Sequence, residues 1–295
     1  MPVPRSRDRT IFLAVGYVTV SLLALACLFP FLLIVSGSLS EEEAIYRDGF
    51  RLVPRRASLA SYEMIFRVPG RILRAYGITI ALTASGATAG LFLTAMTAYA
   101  LQAKDCRYRN RFAFYFYFTM LFNGGLTPFY ILVARGLRLK NTLWAMLLPP
   151  LLSVWYILLM RNFMKGIPDE IYESAKMDGA GHFTMFTRIA IPLSVPALAT
   201  IGLFIALLYW NDWYHAMLFV EDSSLFPMQY FLYRMLTAAR FAEAAVRGAN
   251  VATTDMPRES IKMTMAVVAT GPIVFVYPLI QRYFIRGLTM GAVKG

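Results

Sequence analysis

The sequence predicts an all-α polytopic membrane protein of about six transmembrane helices. Three observations point there: a strongly apolar composition, long apolar runs, and short polar loops that separate them. Of 295 residues, 58% are hydrophobic and only 16% charged, where a soluble domain carries roughly a quarter charged residues. The mean hydropathy is +0.54. Several runs reach the ~20 residues that cross ~30 Å of hydrocarbon. A soluble helical core would break such runs with a polar position every turn.

The net charge of +12 is scattered among the loops, which fits a basic rim against lipid headgroups. Nucleic-acid binding needs basic residues gathered on one exposed face, so no nucleic-acid partner is expected. Cys27 lies in an apolar run and Cys106 in a basic loop, so no disulfide is expected. His182 and His215 are isolated, and no CxxC or HExxH spacing occurs. No metal and no catalytic residues are expected.

The first span is expected at Ile11 to Leu39, behind Arg5, Arg7 and Arg9. It is too long for the 7–15-residue core of a signal peptide, and its arginine flank places the N-terminus inside. A polar segment, Ser40 to Arg74, follows, broken by Pro54 and Pro69. The second span, Tyr76 to Leu101, is rich in small residues. Its Gly86 and Gly90 form a GxxxG that permits close helix approach, either within one bundle or at a subunit interface.

A basic loop (Lys104, Arg107, Arg109, Arg111) leads to a third span, Phe112 to Ala134, interrupted by Asn123-Gly124-Gly125 and Pro128. Broken backbone at membrane depth survives only against protein or a water-filled cavity. Asn123 is therefore a candidate for a translocation path, with plain helix packing as the alternative. The fourth span, Thr142 to Met160, has Pro149-Pro150 at its middle and carries Tyr156, a similar candidate.

The fifth span is expected from Ile189 past Trp210 to Val220, and the sixth from Met263 to Gln281, after a mixed loop from Glu221 to Lys262. Six spans put both termini on one side. The inner loops are shorter and denser in Lys and Arg than the outer ones, which supports termini inside. Asp212 is the sharpest intramembrane feature, since an ionisable group at depth lines a pathway or pairs with a neighbour. Trp210, Asn211, Asp212 and Trp213 offer aromatic faces and hydrogen-bonding groups suited to a sugar; Trp also gathers at membrane interfaces.

The segment 161–192 differs from every other loop. Pro168 suits the first position of a helix, and Asp169 and Glu170 complement its positive end. Ile171 and Ala175 share a face, with Tyr172 and Lys176 beside them. Gly179 is a helix stop that tolerates positive φ. A second short helix, His182 to Ile189, is expected to end near Pro192. Two short helices thus meet at a glycine corner between two spans.

Here the chain resembles a known family. Glu173-Ser174-Ala175, three residues, Gly179, nine residues, then Ile189-Ala190-Ile191-Pro192 is similar to the EAA loop of binding-protein-dependent ABC importers. Ser174 stands for an alanine and Ile191 for a leucine, while every spacing holds. "IPDEIYESAKMDGA" and "WNDWYHAML" resemble the MalG-like carbohydrate permeases, and "NGGLTPFYILVARGL" their LplC-like branch. The resemblance covers Tyr76 to Gly295, so residues 76–295 form the expected permease core with its coupling loop at 161–192. Residues 1–75 supply the first span and an external loop.

The resemblance implies a permease subunit in the bacterial inner membrane, with both termini cytoplasmic. Its coupling loop seats in a partner ATPase through Glu173, Ser174, Ala175, Asp178, Gly179, Ile189 and Pro192. It implies a heterodimer with a second permease, two ATPase copies and an external solute-binding protein. The implied cargo is a saccharide, an oligosaccharide being expected. The outer arginines (Arg47, Arg51, Arg55, Arg56, Arg67, Arg71, Arg74) suit an acidic one such as a uronate oligomer, but also an acidic binding protein or lipid headgroups, which fit them better. No GxxxxGK[ST] occurs, so this chain binds no cofactor and ATP with Mg belongs to the partners. An ion-coupled secondary transporter is the alternative; it would show inverted repeats, and none is evident.

Overall fold

The computed structural model describes residues 7–67, 69–249, 259–272 and 274. It is helical throughout; among the described residues extended pairing is confined to one isolated bridge, Ser40 to Ala57. Two helices are long and apolar enough to cross a membrane, and up to four spans result if two sharply bent helix pairs each count as one. The chain divides into two compact units.

One unit holds the described residues up to Pro69 and from Met235 to Gly271. Its α1, Arg7–Ser38, contains a stretch from Thr10 with mean hydropathy 2.7 whose most apolar window buries nothing inside the chain. Lipid or a partner helix must cover such a surface. The polar segment after it folds into α2, Glu42–Asp48, and α3, Ala60–Ile65. Both are tied to the helix at residues 259–272. The Glu42 carboxylate accepts from the Glu259 and Ser260 amides and from Ser260 Oγ at 2.8, 2.9 and 2.6 Å. Ser61 Oγ meets Ser260 Oγ at 2.7 Å, and Thr264 Oγ1 donates to the Ser38 carbonyl at 3.2 Å.

The other unit is built around α4, Pro69–Gln102. This helix starts seven residues before the expected Tyr76, because Pro69 suits a first helical turn and Arg71 and Arg74 remain exposed on it. The third span becomes two pieces, α5 Arg109–Leu121 and α6 Leu126–Ile131 extended by a π turn to Gly136, bent by 111°. Asn123 Oδ1 accepts the Gly125 amide at 2.8 Å, and Gly125 takes φ +87°. The fourth span is not one helix either. Pro149-Pro150 separates α7, Trp144–Leu147, from α8, Val154–Met164, since proline removes a helical hydrogen bond and clashes with the preceding turn.

The segment 161–192 supplies α9, Asp169–Met177, and α10, His182–Met185. A π turn at Phe186–Ala190 and α11, Ile191–Leu193, continue the helix through Pro192 rather than ending it there. The Ile191 amide reaches back five residues to the Phe186 carbonyl. The extra residue in that turn relieves the clash a proline brings to a regular α-turn. The chain then bends by 85° into α12, Val195–Trp210.

That span ends at Trp210, ten residues short of the expected Val220, because Asn211 and Asp212 interrupt it. Asp212 Oδ1 accepts the His215 amide at 3.1 Å and opens a separate helix, α13, Tyr214–Phe219. The segment read as a mixed loop holds a 22-residue helix, α14, Met228–Ala249. The sixth span begins at residue 259 rather than 263 as α15 (259–272); its expected end at Gln281 lies outside the described residues.

The GxxxG of α4 packs within the bundle. A Cβ on Gly86 would overlap the Tyr209 ring, and one on Gly90 would come within 2.9 Å of the Leu151 carbonyl oxygen. The core runs from there through Ala95, Ala98 and Tyr99 of α4, Met160 and Met164 of α8, and Ile201 and Ile205 of α12. Tyr172, Met185 and Phe186 of the coupling segment join it.

Candidate functional site: the coupling element

Pro168 caps α9 from outside, and the helix proper opens on Asp169 and Glu170, where two carboxylates face unpaired amides. The helix ends in a Schellman motif. Ala180 N–H donates to the Ala175 carbonyl and Gly179 N–H to the Lys176 carbonyl, both at 2.9 Å, while Gly179 takes φ +80°. This is the pairing expected of C″ with C3 and C′ with C2. A side chain at position 179 would meet no neighbour, so the requirement for glycine is one of backbone conformation.

Tyr172 is the buried residue of α9, at 8% exposure. Its ring lies 6.2 Å from that of Tyr99, which lies 5.5 Å from that of Phe186. Burial, with Tyr99 and Asp169 adding to it, pushes the Tyr172 hydroxyl up to about 12. Ala175 packs against the same core cluster; its small size seats α9 on its own bundle. Glu173, Ser174 and Asp178 are exposed. Ile189 belongs to the π turn and Pro192 to the helix that follows it.

Two exposed apolar side chains flank the corner. Met177 is 89% exposed and Phe183 69%. Sequence reading passed over both, because a Met and a Phe inside so apolar a chain carry no signal until their exposure is known. It also passed over Lys104 and Asp105. Lys104 Nζ lies 2.6 Å from Asp169 Oδ2, and Lys176 pairs with Asp105. With Glu173, Tyr172, Gln102 and His182 these residues line a cavity of about 100 Å³. The hydrogen bond to Asp169 raises the Lys104 ammonium above its usual range, and the hydrogen bond from Lys176 holds Asp105 below the usual carboxylate value.

The residues chosen from the sequence for a translocation path fall into two groups. Trp210 is buried and Asp212 is engaged, its Oδ2 lying 2.8 Å from His215 Nδ1. Asn211 and Trp213 remain exposed. Trp213 stacks on Tyr233 of α14 at 4.8 Å, and Gln229 Nε2 donates to Asn211 Oδ1 at 3.4 Å. Tyr156 is half-buried and stacks on Phe204 at 6.3 Å. Asn123 sits on the exposed bend between α5 and α6 and is not brought near the Asn211–Trp213 group by any described contact. Among the described residues no group of His, Cys, Asp or Glu is placed to hold a metal.

The all-α bundle, with helices long and apolar enough to cross a membrane and a two-helix corner between them, has the architecture of a polytopic membrane protein. Residues 106–290 match the family described as "Binding-protein-dependent transport system inner membrane component", and the chain belongs to it. It is 37% identical over 268 residues to the protein LplC of Bacillus subtilis (strain 168), covering 91% of this chain and 90% of that one. It is 35% identical over 272 residues to a polygalacturonan/rhamnogalacturonan transport system permease protein, YtcP, of the same organism, covering 92% and 94%. A solved structure, a bacterial ABC transporter involved in import of the acidic polysaccharide alginate, superposes with a TM-score of 0.81 at 30% identity, covering 96% of this chain and 99% of that one.

The chain is therefore a multi-pass membrane protein and the non-catalytic permease subunit of an ATP-driven importer, with hydrolysis left to a partner ATPase. An ion-coupled secondary transporter is set aside by that membership.

Proposed function

We propose that this chain lines the path for a saccharide handed over by an external solute-binding protein, and that α9 and α10 seat in an ATPase subunit to drive it. The observation that carries the coupling half is the corner at Gly179, a rigid turn presenting exposed Met177 and Phe183. Glu173 and Asp178 beside them supply polar anchoring, Ser174 and Ala175 keep the helix slim, and Ile189 to Pro192 return the chain to the bundle. The assembly is a heterodimer with a second permease and two ATPase copies that carry ATP and Mg. Both termini lie on the ATPase side of the inner membrane.

An oligosaccharide, and an acidic one, is the cargo the relatives favour, since two of them are described by uronate-containing or acidic polysaccharides. The outer-segment arginines Arg47, Arg55 and Arg56 line a cleft of about 470 Å³ but are each paired with a carboxylate, Glu43, Asp48 and Glu41, so the relatives rather than that cleft carry this part of the reading. Asn211 and Trp213, exposed next to Tyr233 and Gln229, are the groups placed to touch solute; Tyr156 and Asn123 are secondary positions, and Trp210 and Asp212 form the wall behind.

The test is purification of the chain with its partners, followed by ATPase assays with binding protein over a panel of neutral and uronate oligosaccharides. Stimulation by one saccharide class supports the reading. An assembly without an ATPase contradicts the coupling half, and an intact assembly indifferent to every saccharide contradicts the cargo half.

A further inference from the structure

The two ion pairs that join α9 to the loop after α4 are crossed. Lys104 meets Asp169 and Asp105 meets Lys176, so adjacent residues of opposite sign meet residues of opposite sign at the two ends of α9. Asp169 and Lys176 are seven positions apart, two turns of helix on one face and about 10 Å along its axis. Beneath them Tyr172 lies against Tyr99. Apolar contact of that kind resists separation but is non-directional and permits sliding and rolling. The charge pattern disfavours both. Sliding α9 one way along the loop would bring Lys176 towards Lys104, and sliding it the other way would bring Asp169 towards Asp105, so either displacement sets like charges against each other.

We infer that Lys104 and Asp105 are positioning residues of the coupling element, keying α9 to the end of α4 so that the two move together. The inference rests on the docking role proposed for α9. The pairs are half-exposed, so each adds little to stability; their value lies in fixing register. The consequence is mechanical. A displacement imposed on α9 passes directly into α4, a single helix of 34 residues that spans about 50 Å. Its far half contacts other elements closely. Thr79 Oγ1 accepts the Met228 amide at 2.8 Å at the start of α14, and Gly86 receives the Tyr209 ring of α12. One unbroken lever thus reaches from the coupling corner to the region of Trp210.

The experiment uses the whole complex in proteoliposomes and reads uptake per ATP hydrolysed. Lys104→Glu, Asp105→Lys, Asp169→Lys and Lys176→Glu are compared with the swaps Lys104→Glu/Asp169→Lys and Asp105→Lys/Lys176→Glu, and with the neutral Lys104→Gln and Asp105→Asn. Gly179→Val serves as the docking control. The single reversals are expected to lower uptake per ATP by about fivefold or more while hydrolysis persists. The swaps should restore the ratio to within about twofold of wild type, a rescue that a loss of fold would not show.

Single reversals with a wild-type ratio, alongside an uncoupled Gly179→Val, overturn the keying role and leave docking intact. If Gly179→Val is also fully coupled, the docking reading itself fails. Where a reversal prevents assembly, the neutral variants decide: a lowered ratio supports keying and an unchanged one refutes it.

Discussion

The ring of Tyr209 fills the space that a side chain on Gly86 would occupy, while its hydroxyl donates to the Leu147 carbonyl at 2.7 Å. One residue of α12 thereby locks α4 closely and ties off a carbonyl exposed by the Pro149-Pro150 break. Gly86→Ala is expected to destabilise by about 1–3 kcal/mol through overpacking. Gly77→Ala, with nothing near its Cβ, should be neutral or slightly favourable for the helix. Thermal unfolding of the purified complex in detergent compares the two, and equal effects would contradict the close approach.

Glu42 acts as a cap for a helix more than two hundred residues away, accepting two amides and a hydroxyl at residues 259 and 260. Glu42→Ala leaves those buried donors unmet and is expected to cost about 1–3 kcal/mol. Limited proteolysis should show faster cleavage within residues 39–67. Unchanged proteolysis would mean that water replaces the carboxylate without loss.

The crossed pairs at α9 carry a pH prediction. Asp105 is held below the ordinary carboxylate range by Lys176, so its contribution is present above that range and lost only as pH falls through it. Lys104 is raised by Asp169, so its contribution is present below the ordinary lysine range and lost as pH rises beyond it. Uptake per ATP should therefore stay flat between about pH 5 and 9. A step within that window would assign the coupling to another titrating group.

The two-helix corner at Gly179 was legible in the sequence because its logic is local. A capping proline, two acids in the first turn and a glycine at the corner all act within one or two turns of helix. The Schellman hydrogen bonds of Gly179 and Ala180 follow directly from that order of residues. The crossed pairs were not legible, since Lys176 and Asp105 lie 71 positions apart and nothing near either marks its partner.

Span boundaries failed for a related reason. Hydropathy does not register the break at Pro149-Pro150 or the end of α12 at Trp210, because apolar residues continue on both sides. It equally hides α14, whose mixture of charged and apolar residues averages over a window like that of a loop. Pro192 looked like a stop, and the π turn before it carried the helix onward.

Gly179 also predicts a graded series. Asparagine tolerates positive φ better than alanine, and a β-branched residue tolerates it least. Gly179→Asn should keep most coupling, Gly179→Ala less, and Gly179→Val least. Because no neighbour crowds the position, an order following side-chain volume instead would contradict the conformational explanation.

The most direct measurement is saccharide uptake and ATP hydrolysis, recorded together, by the reconstituted complex carrying Gly179→Val at wild-type assembly. A coupling role for the Gly179 corner requires hydrolysis to continue while uptake collapses. Uptake at the wild-type rate would contradict it.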